Sequence, residues 1–297
     1  MTAVASVPAG TTRAAAPAVG ARRRRRRFPW KYTILTLVAL PWVVLPFWVL
    51  LVNSFKTSRE AESPSVSLPK TWAVVDNYRA VLDQGHYLLG LRNSLFVAVP
   101  VVVLTLLLGA MAAWTFARTS SRTLRFWYYV MALSIILPPA IVPTVYMLTK
   151  TGLTGSLAGY VLTLVGTRVG VIVFLTTGYV RGLAPDYEAA AQIDGANKLQ
   201  VFWHIILPLL RPVLFTSAVM TVINVWNDFL FALYMIKGST NATLPLTLYN
   251  FANSGMYGVN WNLVFAHVIL TSLPLVVAYV VLQRRIMSGL TDGGVTG

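Results

Sequence analysis

The chain carries nine carboxylates, three histidines and no cysteine. Without cysteine it can form no disulfide, thiolate metal site or thiol nucleophile. His86, His204 and His267 lie far apart, without the spacing of zinc ligands. The cluster of nucleophile, base or metal ligands that a membrane-embedded hydrolase or transferase needs is not visible. Lys56, Lys70 and Lys150 each precede a threonine, but none follows a glycine, so no P-loop can cradle nucleotide phosphates. If the chain does energised work, the energy comes from another subunit. Two places remain where residue types and spacing suggest a function.

The first is Asp228, a carboxylate within a long apolar run. An ionisable group there is a functional-site candidate by default. Asn224, Asn227 and Asp228 fall near one face by their three- and four-residue spacing, and Trp226 is close by. Amides and a carboxylate beside an aromatic plane suit a sugar, whose hydroxyls need partners and whose ring needs a flat surface. The same group also reads as a structural polar cluster that joins helices. The expected partners of Asp228 are Asn224, Trp226 and Asn227.

The second is the polar stretch from Pro185 to Pro208. Pro185 suits a first helical turn, and Asp186 and Glu188 favour the positive end of a helix. The alanines at 189–191 combine high helix propensity with minimal bulk. Asp194-Gly195 should stop the helix, with Gly195 in a left-handed cap. Asn197 can cap the next helix, with Gln200 completing a capping box. The expected product is a short rigid helix, thin on its alanine face and shaped to enter a partner's groove.

The rest of the chain must hold these two places in a membrane. Of its 297 residues 56% are hydrophobic and only 11% charged, against about a quarter charged in a soluble domain. Mean hydropathy is +0.66. Apolar runs at 33–52, 94–117, 127–148, within 157–183, at 212–236 and at 263–282 imply an all-α membrane protein with six transmembrane helices. The first run is too long for a signal peptide core and lacks a cleavage site. Arg168 interrupts the fourth run. An unpaired guanidinium at mid-membrane costs several kcal/mol, so the expected helix is 167–183, with 156–165 along the outer interface. Pro41, Pro46, Pro100, Pro138, Pro139, Pro143 and Pro274 imply kinks.

The net charge of +15 would suit nucleic acid, but six of the cations form the run Arg22 to Arg27 before the first span. Placed there they orient a membrane protein, and no nucleic-acid partner is expected. With the N-terminus inside, sixteen basic residues fall on the cytoplasmic side and seven outside. A multi-pass protein of the cell membrane with both termini cytoplasmic is therefore expected. Residues 54–91 form an outer loop and 181–211 the longest inner loop between spans. The expected organisation is a disordered basic tail over 1–30 and a six-helix domain over 31–290. Its core lies at about 88–282, and a short tail covers 291–297.

Glu188-Ala189-Ala190, Gly195 and Ile205-x-Leu207-Pro208 together resemble the EAA loop in the permeases of binding-protein-dependent ABC importers. Asn53-Ser54-Phe55-Lys56, Asp76-Asn77-Tyr78, Asn93-Ser94, Trp226-Asn227-Asp228-Phe229 and Leu244-Pro245-Leu246 resemble the carbohydrate branch, most closely the smaller permease of maltose-type transporters. The resemblance extends to Gln283-Arg284-Arg285, Gly289-Leu290 and Gly293, but the basic Lys-Gly ending of the family is missing here.

That resemblance implies the type I ABC importer permease fold, with Glu188, Ala189, Ala190, Asp194, Gly195, Ile205, Leu207 and Pro208 coupling to an ATPase. It implies four partner subunits: a second homologous permease, two ATPases that bind ATP and Mg, and an extracytoplasmic solute-binding protein. The chain itself would bind no cofactor. It also implies that the larger permease makes most sugar contacts, which weakens Asn224, Trp226, Asn227 and Asp228 as a substrate path. The alternatives are a permease for peptide, amino acid or polyamine, and a secondary carrier. A carrier would need inverted repeats and midplane carboxylates. Asp228 is the one intramembrane acid, and no repeat is evident.

Overall fold

The computed structural model describes residues 30–253 and 258–292. Apart from Trp30, the basic tail expected over 1–30 lies outside the described residues, as does Gly293. The chain divides into Met1–Val44 and Leu45–Gly297. In the first unit the described part is the helical stretch from Trp30, and the packing that positions both candidate sites lies within the second.

Among the described residues the structure is helical, apart from one isolated backbone bridge between Gly155 and Ile236. Helix α1 (Trp30–Ser54) is followed by a short α2 (Ser58–Ala61) and by α3 (Val74–Asp83). Helices α4 (Tyr87–Arg118), α5 (Arg122–Ile136), α6 (Ile141–Lys150) and α7 (Leu157–Gly182) come next. The cytoplasmic-loop candidate contains α8 (Asp186–Ile193), α9 (Lys198–Val201) and α10 (Leu207–Leu209). The chain continues through α11 (Arg211–Trp226), α12 (Leu230–Met235), α13 (Leu244–Ala252) and α14 (Trp261–Asp292).

Among the described residues four single helical segments are long and apolar enough to cross a membrane: Ile34–Ser54, Tyr87–Arg118, Leu157–Gly182 and Trp261–Val281. Two bent pairs bring the number to six if each counts as one span. Helices α5 and α6 meet at 116°, and Lys198–Leu209 meets Arg211–Trp226 at 74°. Pro138 and Pro139 lie between α5 and α6, where neither can donate a helical hydrogen bond. The run expected as one span over 127–148 is broken for that reason. The run 212–236 is also divided, between Trp226 and Leu230.

The core forms where α4, α7 and α12 meet, from Val97, Val101, Tyr160, Leu164, Phe231 and Met235. Gly166 and Gly170 lie about one turn apart on α7, and of the two Gly170 sits at a close crossing. A Cβ on Gly170 would lie 2.5 Å from Ser134 Oγ and 2.9 Å from the Met131 carbonyl of α5, whereas a Cβ on Gly166 meets nothing within 4 Å. Overpacking against backbone costs about 1–3 kcal/mol or more. Gly170→Val should therefore lower the yield of monodisperse protein on size-exclusion chromatography, while Gly166→Val should not. Equal yields would mean that α5 and α7 do not meet at Gly170.

Several motifs of the segment between α1 and α4 and its neighbours act as ties between distant backbones. Asn77 Nδ2 donates to the carbonyls of Ser54 and Lys56, both at 2.8 Å, and Asn262 Nδ2 donates to Asn77 Oδ1 at 2.8 Å. Buried Lys56 gives its ammonium to Asn53 Oδ1 at 2.9 Å and Ser65 Oγ at 2.7 Å. Asn93 Nδ2 holds the carbonyls of Thr240 and Ala242 at 2.8 and 3.0 Å, and Ser94 Oγ accepts from the Leu244 amide. A buried polar group must be satisfied, so these amides fix their segments in place. His267 is fully buried among Tyr87, Phe251 and Thr247, a packing position.

Candidate functional site

The structure corrects the expectation for the fourth span. Helix α7 is continuous over 26 residues, and Arg168 sits roughly 16 Å along it at 1.5 Å per residue. It is not at an interface end. The expectation priced the guanidinium as unpaired, and it is paired. Arg168 Nη2 lies 3.4 Å from Asp228 Oδ1, with both side chains mostly buried. Tyr160, a little over two turns earlier on α7, donates its hydroxyl to Asp228 Oδ2 at 2.6 Å. The tyrosine bond is short and charge-assisted. The arginine contact is an ion pair at long range.

The partners expected for Asp228 are corrected too. Asn224 and Asn227 turn back on their own helix, donating to the carbonyls of Met220 and Ile223, each at 2.8 Å. Such local side-chain bonds compete with the helix ladder, and α11 ends at Trp226 with Asn227 as its cap. Trp226 points away, its Nε1 donating to the Thr271 carbonyl at 3.1 Å, its ring buried with Tyr87, Leu244 and Ala266. The four residues therefore form no common surface. Asp228 instead occupies the gap between α11 and α12 and ties it to α7. Tyr160 and Arg168 were missed because nothing in a linear sequence links them to a residue sixty positions on. The one available signal was a cation and an acid that each needed a partner in apolar surroundings.

The loop after α7 forms the second site. Helix α8 is flanked by Pro185 at its N-cap and Asp194 at its C-cap, after which Gly195 takes a φ of 85°. The Ala196 amide reaches back to the Ala191 carbonyl at 2.9 Å and the Gly195 amide to Gln192, closing the helix end. The capping box is formed: the Gln200 amide donates to Asn197 Oδ1, and the Asn197 amide to Gln200 Oε1. Between α9 and α10 the backbone widens into one π-turn over Phe202–Ile206, with the Leu207 amide bonded to the Phe202 carbonyl. Pro208 has no amide hydrogen, and its ring crowds the carbonyl four residues before it, which favours that wider turn.

Glu188 turns inward. Its Oε1 accepts from Arg118 Nε at 2.8 Å and its Oε2 from Trp114 Nε1 at 3.0 Å. Arg118 Nη2 also donates to the Leu183 carbonyl at 2.9 Å. One carboxylate thus locks α8 to the end of α4. Beneath it Ala191, Val201, Phe202, Ile206 and Leu210 pack against Ala110 and Val180, and Trp114 lies over Phe202 at 5.9 Å. Ile205, Leu207 and Pro208 are half-buried in this base, while Ala189, Ala190, Asp194 and Gly195 face outward. Tyr187, Ile193 and Leu199 are exposed apolar groups of the same hairpin. The inward contacts of Trp114 and Arg118 were not evident from sequence, because they lie some seventy residues before the acid they hold.

The fold agrees with comparisons to known proteins. Residues 87–291 match the model of the family described as binding-protein-dependent transport system inner membrane component, and the chain belongs to that family. It is 32% identical to the diacetylchitobiose uptake system permease protein NgcG of Streptomyces coelicolor, over 91% of this chain and 89% of that one. It is 30% identical to the probable starch degradation products transport system permease protein AmyC of Thermoanaerobacterium thermosulfurigenes, over 87% and 93% of the two chains. The trehalose transport system permease protein SugB of Mycobacterium tuberculosis is 28% identical, over 92% and 99%. Among solved structures, the crystal structure of a bacterial ABC transporter involved in import of the acidic polysaccharide alginate has the same fold. Its TM-score is 0.75 at 20% identity, covering 88% of this chain and 97% of that one.

Proposed function

We propose that this chain is one of two permease subunits in an ABC importer for a sugar or oligosaccharide, with its N- and C-termini and the 185–208 loop in the cytoplasm. The relatives named for diacetylchitobiose, starch products and trehalose support the substrate class. The observation that carries the coupling role is the geometry of α8. Its base is clamped by Glu188, while Ala189, Ala190 and the apolar tips of Tyr187 and Ile193 face solvent. A partner ATPase that binds ATP and Mg would receive that face. An extracytoplasmic binding protein would deliver the solute, and a second permease would complete the path. Closure of the ATPases would move the two loops together and favour one orientation of the helices. This works only if the partners bind the two states with different affinity.

In this reading Ile205, Leu207 and Pro208 hold the loop's base, and Asp194 with Gly195 sets the angle of α8. Asn224 and Asn227 are exposed and open to a solute. Trp226 and Asp228 are already engaged by protein groups, so their roles are structural.

Deleting the chain should abolish uptake of an oligosaccharide and leave peptide, amino-acid and polyamine uptake intact. Loss of one of those instead would overturn the substrate class. Orientation is tested by single cysteines, which a cysteine-free chain permits. A cysteine at exposed Ser63 should react with an impermeant maleimide in intact cells, and one at exposed Gln192 only after permeabilisation. The reverse pattern would invert the topology.

A further inference from the structure

A cavity of about 340 Å³ opens between the end of α4, the start of α5 and the end of α7, lined by Thr119, Arg125, Tyr128, Tyr129 and Arg181 among others. That is room for roughly ten water molecules. Two guanidinium groups share it, and none of its lining residues is acidic. Arg181 lies over the Tyr128 ring at 5.1 Å, which fixes its position and leaves its donors free. The side chain of exposed Arg125 has no ion pair or hydrogen bond among the described residues. The nearby Arg118 is already held by Glu188. Two cations lining one concave site with no acid beside them make it attractive to an anion.

Around this mouth α5 exposes Phe126, Trp127 and Tyr129. Exposed aromatic residues next to basic ones mark the level of lipid headgroups. A free anion would not need them, but an acyl chain beside its headgroup would. The chemistry of basic pockets between transmembrane helices fits a lipid phosphate.

We infer that this cavity binds the phosphate of an anionic phospholipid, with Arg125 and Arg181 as its ligands. Its location in the cytoplasmic leaflet rests on the orientation proposed above. Ala117 and Thr119, the chain neighbours of Arg118 in the clamp, line the cavity.

The test uses the full chain in its assembled transporter, purified in detergent and supplied with equal phosphatidylglycerol and phosphatidylcholine. Bound lipid is counted by native mass spectrometry. Phosphatidylglycerol should be retained in preference, and its affinity should fall roughly fivefold for each arginine removed in Arg125→Gln and Arg125→Gln/Arg181→Gln. Arg125→Lys/Arg181→Lys should keep most of the preference. The single Arg125→Gln guards against misfolding, because the exposed Arg125 side chain makes no hydrogen bond or ion pair among the described residues. Equal retention of the two lipids, or a Gln double variant that retains phosphatidylglycerol unchanged, would overturn the site. Displacement of phosphatidylglycerol by excess inorganic phosphate with the same arginine dependence would make the ligand a free anion and overturn the lipid assignment. These counts need no uptake, so failure of the transport reading would show separately, in the deletion and labelling experiments.

Discussion

Arg168→Leu should destabilise the assembled protein by about 3–5 kcal/mol, because it leaves Asp228 buried and charged with two hydrogen-bond donors, the Tyr160 hydroxyl and the Ala232 amide, but no counter-charge. Arg168→Leu/Asp228→Leu should recover part of that loss, since replacing a buried ion pair by apolar residues is often neutral, while the buried Tyr160 hydroxyl, left without its acceptor, still costs about 1–3 kcal/mol. Asp228→Asn should keep a hydrogen bond with Tyr160 and lose the ion pair, so it should fall between the two. The measurement is the thermal midpoint of the complex, with uptake normalised to the amount assembled. If the double variant is no better than the single one, the two residues do not act as a pair. If Asp228→Asn assembles normally but shows a raised concentration for half-maximal uptake, Asp228 belongs to the solute path after all.

The second large effect concerns the clamp. Glu188→Ala removes the acceptor for both Trp114 Nε1 and Arg118 Nε. Leaving such partly buried donors unsatisfied costs about 1–3 kcal/mol each. The protein should still insert, but α8 should lose its fixed position, and uptake should fall at least tenfold with little change in assembly. Glu188→Gln should retain part of the function through its carbonyl oxygen. Gly195 gives a parallel test. A Cβ there meets nothing within 4 Å, so any cost comes from its φ of 85° and not from a clash. Asn and Asp tolerate that region better than β-branched residues. Gly195→Val should uncouple transport more severely than Gly195→Asn or Gly195→Asp. Normal uptake in Glu188→Ala, with the ATPase still bound, would remove the clamp from the coupling step.

Much of the loop was legible in the sequence because it is built from short-range rules. Pro185, Asp194-Gly195 and the Asn197–Gln200 box each act within five residues, and each forms as its chemistry requires. The spans were legible as apolar runs, since length and hydropathy are local properties. What was not legible depends on pairing across distance. Arg168 looked too costly for a helix centre, and it is tolerated there because Asp228 arrives from the break between α11 and α12, sixty positions later. The asparagines near Asp228 suggested a joint surface by spacing alone. In the structure each satisfies itself on its own helix, and Trp226 finds its partner on α14.

Helix α4 is clasped at two distant points. Arg118 grips the loop through Glu188 at one end, and Asn93 grips the carbonyls of Thr240 and Ala242 at the other. Twenty-five residues separate the two, roughly 38 Å of rod at 1.5 Å per residue. Such a rod is a lever. A tilt of about 5° imposed at the arginine end swings the asparagine end by about 3 Å, an atom's width, carrying the segment before α13 with it. A push too small to disturb the packing around its point of application is thus magnified into a displacement large enough to open or shut a gap on the opposite side of the molecule.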